Sequence, residues 1–137
     1  MDIIPIEFDD FEQLYELWKD AGLHLADRRS EQKDFLAILK LNPQTCLKVV
    51  INSTIIASSL GTWNGRRAWI YHFAVYPNYQ RKNIGTDLLN ETIKRLRKRG
   101  ATKVIVSVVH NNQRAKQFYQ KRGFTPMDDA EVLIKNV

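Results

Sequence analysis

YHFAVYPNYQRKNIGTDLL, residues 71–89, reads as an apolar strand, a short polar loop and the opening of a helix. Residues 69–75, WIYHFAV, are nearly all apolar or aromatic. That predicts a strand covered on both faces, in the middle of a sheet. Pro77 ends the ladder because it has no N–H to donate. Residues 78–83 form a polar loop carrying Arg81 and Lys82, and Gly85 sits where the helix opens. From there the pattern is helical, with Ile84, Leu88, Leu89, Ile93 and Leu96 on one stripe. A basic, Gly-containing loop running into a helix N-terminus suits an anion. The first-turn N–H groups lack intrahelical partners, and the helix dipole favours negative charge. The stretch therefore asks for a phosphate-bearing ligand.

Upstream, residues 2–8 (DIIPIEF) predict a short strand, made an edge by Pro5. Asp9 or Asp10 is placed to cap a helix carrying Phe11, Leu14, Tyr15, Leu17 and Trp18, which Gly22 ends. A second helix is expected over 31–40, capped by Ser30 and stopped at Asn42-Pro43. Residues 47–51 and 55–63 predict two strands around an Asn52-Ser53 turn. Asn64-Gly65, the strongest hairpin signal in the chain, leads into 69–75. Downstream of the loop, a helix over 84–99 ends at Gly100. Strand 103–109, helix 112–122 and a last strand within 131–135 follow. The order β-α-α-β-β-β-α-β-α-β predicts an α/β (α+β) fold, with three antiparallel strands in a row. Strands 69–75 and 103–109 should be parallel neighbours.

The chain has 137 residues, enough for one domain, and no internal repeat or linker divides it. No apolar run approaches the ~20 residues of a membrane helix. The N-terminus is acidic where a signal peptide would be basic, and the single Cys46 cannot form an internal disulfide. Both point to the cytoplasm. No metal site is read. The net charge of +6 suits an anionic partner. Residues 94–99, KRLRKR, also suggest a nucleic-acid patch, but cations at a helix C-terminus suit the dipole and no nucleic-acid motif accompanies them.

Two blocks carry a family resemblance. In residues 75–86, VYPNYQRKNIGT, the residues Gln80, Asn83 and Gly85 resemble the acyl-CoA motif of the GNAT superfamily, the Gcn5-related N-acetyltransferases. That motif is Gln or Arg, two residues, Gly, one residue, then Gly or Ala. Asn83 stands at the first glycine, and asparagine tolerates the left-handed backbone well. Residues 109–124, VHNNQRAKQFYQKRGF, are similar to the family's N-x-x-A-x-x-x-Y…G-F segment through Asn112, Ala115, Tyr119, Gly123 and Phe124. The resemblance is strong over 69–125 and weaker before.

It implies a mixed, mostly antiparallel central sheet with a parallel pair at the acyl-CoA site, flanked by four helices. It implies acetyl-CoA as co-substrate and acetyl transfer to a primary amine of unknown identity. It places the pyrophosphate on the backbone of Arg81, Lys82, Asn83, Ile84, Gly85 and Thr86, and counts Gln80 in the same cofactor site. The pantetheine arm falls on a bulged strand end at Phe73, Ala74 and Val75 and on Asn112 and Ala115, and the leaving thiolate on Tyr119. Many family members carry a glutamate base at positions that here are Trp69 and Ser107, neither a base. His72, His24 and Tyr71 remain as candidates. Strict alternation lets only one of Tyr71 and His72 face a given side. Trp63 and Tyr71 are candidate walls of the acceptor pocket, with Asp20, Asp27, Arg28 and Arg29 as candidate charge contacts. The missing carboxylate keeps a second reading open, an acyl-CoA sensor without turnover. Homodimers through sheet edges or the C-terminal strand are common in the family.

Overall fold

Local turn chemistry builds most of the sheet. The computed structural model describes residues 1–137. Strand β1 spans Asp2–Pro5, β2 Cys46–Ile51, β3 Thr54–Trp63, β4 Ala68–Val75 and β5 Val104–Val106. Asn52 and Ser53 are both left-handed (φ 50° and 64°), the conformation a two-residue hairpin turn requires. At the next turn, Asn64 Oδ1 accepts from the N–H groups of Arg66 and Arg67, each at 2.8 Å. The strand order is β1-β2-β3-β4-β5. Neighbours are antiparallel except for the parallel pair β4–β5, as expected.

Residues 1–106 form one compact unit and 107–137 a second. In the first, helices α1 (Phe11–Asp20) and α2 (Arg28–Leu41) cover one face of the sheet, and α3 (Ile84–Arg99) covers the other. Trp18, Phe35 and Leu60 are central to the first face, Leu47, Ile56 and Leu88 to the second. The second unit holds α4 (Gln113–Gln120). No helix is long and apolar enough to cross a membrane.

Several expectations are corrected. Residues 131–135 form no strand: Val132, Leu133 and Ile134 are 83%, 87% and 92% exposed. A β-branched run becomes a strand only where a neighbour completes its ladder. β5 is likewise shorter than 103–109. Helix α2 begins before Ser30, because Asp27 caps it and accepts from the Ser30 N–H (3.0 Å) and hydroxyl (2.8 Å). Asp10 does not cap α1 through its side chain. It accepts from Glu7 N–H at 2.8 Å and pairs with Lys48 Nζ at 2.6 Å. On α3, Thr92 is fully buried in place of Ile93, its hydroxyl bonded to Leu88 O (2.8 Å) and Ser59 Oγ (3.0 Å). Strand β4 is not covered on both sides, since Tyr71 is 42% exposed.

Helix α3 approaches β3 so closely that Gly61 has no room for a side chain. A Cβ there would lie 2.6 Å from Thr45 O and 2.9 Å from Thr92 Cγ2. Gly61→Ala is therefore expected to lower the unfolding free energy by about 1–3 kcal/mol, as overpacking does. Urea denaturation reads this directly, and an unchanged midpoint contradicts the close approach.

Candidate functional site

The register of β3 against β4 shifts between Ser58 and Leu60. Ser58 pairs with Ala74 and Leu60 with Tyr71, so two residues of β4, His72 and Phe73, oppose Ser59 alone. This is a β-bulge. His72 takes the extra position in a left-handed conformation, φ 45°. The bulge breaks the alternation. Tyr71 pairs with Leu60 on the α1/α2 face, and the His72 ring packs edge-on against Trp18 at 4.5 Å on that same face. Phe73 turns to the α3 face. The expectation that Tyr71 and His72 point to opposite sides is thus corrected.

Both line a cavity of about 390 Å³ together with Trp18, Glu31, Asp34, Phe35, Ala37, Ile38 and Leu60. His72 Nε2 lies 2.6 Å from Glu31 Oε1. The other oxygen of Glu31 accepts the Ala26 N–H at 2.9 Å. Glu31 is buried, and the His72 side chain is 25% exposed. With Nε2 turned to a carboxylate, the neutral ring carries its hydrogen there and keeps Nδ1 as the acceptor. Such a pair can take a proton and hold the resulting charge beside Glu31. Glu31 escaped the sequence reading, although it had a signal: it sits four and eight residues before Phe35 and Leu39, on the buried stripe of α2.

The strand that carries His72 feeds the loop. Its ladder with β5 covers Ala68–Ile70 only. Phe73 and Val75 pack on the α3-side cluster and Ala74 on the opposite one. Val75 O accepts from Gln80 Nε2 at 3.0 Å, which closes the loop on itself. Arg81 and Asn83 are both left-handed (φ 63° and 64°), as expected for Asn83. Asn83 is the N-cap residue of α3 and provides no side-chain acceptor to its first turn. Alternating left-handed residues before a 16-residue helix suit an anion. Arg81 and Lys82 are exposed, so their charges add modestly; the Lys82 ammonium lies 5.7 Å from the centre of the Tyr79 ring. Ile84 is buried, while Gly85 and Thr86 are half-buried.

In the second unit, Asn112 Oδ1 caps α4 by accepting Ala115 N–H at 3.0 Å. Tyr119 is buried between Phe118 and Phe124 (ring centres 5.2 and 5.3 Å away), both half-buried rather than fully in a core. Burial pushes the Tyr119 phenol up to about 12.

Other candidates lie elsewhere. Trp63 sits beside Gly100 on the α3 face and does not line the cavity. Asp27 is the cap of α2, and Arg28 pairs with Glu12 over the Phe11 ring. His24, Asp20 and Arg29 are exposed and outside the cavity wall. Cys46 is fully buried, which raises its thiol to about 12. It is expected to resist alkylation at pH 8 in the folded protein and to react once urea unfolds it. Prompt labelling of the native protein contradicts that burial.

The profile of the acetyltransferase (GNAT) family matches residues 10–124. An acetyltransferase of Yersinia pestis (strain Pestoides F) is 28% identical over 128 residues, covering 93% of this chain and 90% of that protein. Ard1 from Thermoplasma volcanium has the same fold, with a TM-score of 0.81 at 21% identity over 90% of this chain and 82% of that one. The PaiA N-acetyltransferase of Thermoplasma acidophilum, crystallised in complex with coenzyme A, gives 0.78 at 22% identity over 91% of each chain.

Proposed function

The chain belongs to the GNAT acetyltransferase family, and from that premise we propose that it moves an acetyl group from acetyl-CoA to a primary amine, with His72 as the general base. The observation that carries this reading is the His72–Glu31 pair, open to a cavity and set on the strand that feeds the anion-suited loop. An alkyl ammonium titrates near 10.4, so freeing its lone pair at pH 7 costs about 4–5 kcal/mol. His72 Nδ1 first takes a proton from the ammonium, which frees the lone pair, and Glu31 faces the charge the ring acquires. The nitrogen then adds to the thioester carbon, the C–S bond breaks, the thiolate leaves, and the nitrogen's second proton goes to solvent. A phenol near 12 is a weaker acid than a thiol near 8.5. Tyr119 therefore suits hydrogen-bond donation to the thiolate better than outright proton transfer.

The loop Arg81 to Thr86 takes the pyrophosphate and the backbone of Phe73 to Val75 the pantetheine arm; Asn112 and Ala115 are assigned to that arm by the family resemblance alone. The cavity wall is aromatic and aliphatic except for His72, Glu31 and Asp34, and no Lys or Arg lines it. That favours an amine on an apolar stem and disfavours one with a carboxylate beside it. An acyl-CoA sensor without turnover is the second reading, and the Glu31–His72 pair favours the enzyme over it. The basic run on α3 is partly engaged within the fold: Arg95 pairs with Glu91, and Arg99 donates to Asn42 Oδ1.

The test is thiol release from acetyl-CoA in the presence of apolar primary amines and amidated peptides. Turnover is expected, and Tyr119→Phe should lower kcat about 10- to 100-fold, the effect of one hydrogen bond to a charged group. No acceptor-dependent release across such a panel would overturn the reading.

A further inference from the structure

We propose that Ser58 is a positioning residue that holds His72 in the left-handed bulge and so fixes its imidazole between Glu31 and the cavity. This rests on the reading of His72 as the base. Ser58 lies on β3, is fully buried, and pairs with Ala74 beside the bulge. Its Oγ accepts the Trp18 indole N–H at 2.9 Å. Its own hydrogen is therefore left for the His72 carbonyl, 2.8 Å away. The register shift leaves His72 out of the β3 ladder, and this side-chain hydroxyl bonds its carbonyl instead.

A left-handed conformation is strained for a residue with a Cβ, and it persists where the surroundings over-determine it. Three contacts do so here. Ser58 holds the carbonyl, Glu31 holds Nε2, and Trp18 packs on the ring. Trp18 also orients Ser58, so one residue of α1 acts on both the backbone and the ring of His72. Without the hydroxyl, the His72 carbonyl loses its partner, and the ring is free to turn from Glu31 and the cavity while the rest of β4 keeps its register.

The test compares Ser58→Thr with Ser58→Val, which have nearly the same volume and differ in the hydroxyl. The valine variant is expected to have a kcat roughly tenfold below the threonine variant, as for loss of one buried hydrogen bond. Both should bind acetyl-CoA with unchanged Kd by calorimetry. The imidazole resonances of His72, assigned by their absence in His72→Gln, should shift with valine and stay with threonine. Where the added methyl prevents cooperative folding, Ser58→Ala removes the hydroxyl without adding volume and is read in the same way against wild type. Equal kcat and unshifted resonances with and without the hydroxyl overturn the proposal. A wild-type kcat in His72→Gln would instead defeat the reading of His72 as base. A resonance shift confined to the variants lacking the hydroxyl would still support the structural role of Ser58.

Discussion

Replacing His72 with glutamine is expected to lower kcat roughly 10²- to 10⁴-fold, the usual contribution of a positioned general base. The expectation follows from where the ring is held. It is fixed on one side by Glu31 at 2.6 Å and on another by Trp18, and it lines the cavity. Glutamine keeps a polar side chain near Glu31 but cannot take up a proton at neutral pH. The amine must then arrive already deprotonated. The variant's rate should therefore climb with pH toward the acceptor's own pKa, near 10.4 for an alkyl amine. Acetyl-CoA affinity should not change, because the loop and the strand end stay as they are. Glu31→Gln should fall in the same direction by a smaller factor, since the ring keeps its acceptor atom but loses the charge facing it. A His72→Gln enzyme within threefold of wild type at pH 7 would mean that the base lies elsewhere.

The second large effect concerns stability. Asp10→Ala is expected to destabilise the protein by about 3–5 kcal/mol, the usual penalty for leaving one charge of a buried pair uncompensated. The Lys48 and Asp10 side chains are only 10% and 11% exposed and lie 2.6 Å apart. Removing the carboxylate strands an ammonium against α1 and also takes the acceptor from Glu7 N–H. Small domains are stable by roughly 5–15 kcal/mol, so the variant should unfold at markedly lower urea. Replacing both partners, as in Asp10→Leu with Lys48→Met, should recover most of the loss, because no unpaired charge then remains. A single variant within 1 kcal/mol of wild type would show that water reaches Lys48 more freely than its burial implies.

The parts of the fold that were legible in the sequence are those fixed by neighbours along the chain. Asn64-Gly65 marks its hairpin, Pro77 ends β4, and Gly100 closes α3 at Arg99. Asn83 adopts the left-handed backbone, which asparagine tolerates where the family motif has glycine. What sequence reasoning missed depends on partners far away. The bulge at His72 is a property of pairing with Ser58 and Leu60, so counting alternation along β4 alone places Tyr71 and His72 on opposite faces. Glu31 and His72 meet across 41 residues, and a glutamate on a buried helix stripe was the one trace of it. Asp10 reads as a cap because local chemistry favours it there. A lysine 38 residues later takes the carboxylate instead. Residues 131–135 have strand composition, yet composition cannot supply a ladder partner.

Residues 80–86 are proposed to form an acyl-CoA site at the end of the strand carrying His72. Calorimetric titration with acetyl-CoA at moderate salt, on wild type and on Gly85→Glu, decides between this site and none. The substitution puts bulk and negative charge at the mouth of α3. Micromolar binding by wild type that is lost in the variant is the predicted result. No binding by wild type, or equal binding by both proteins, would contradict it.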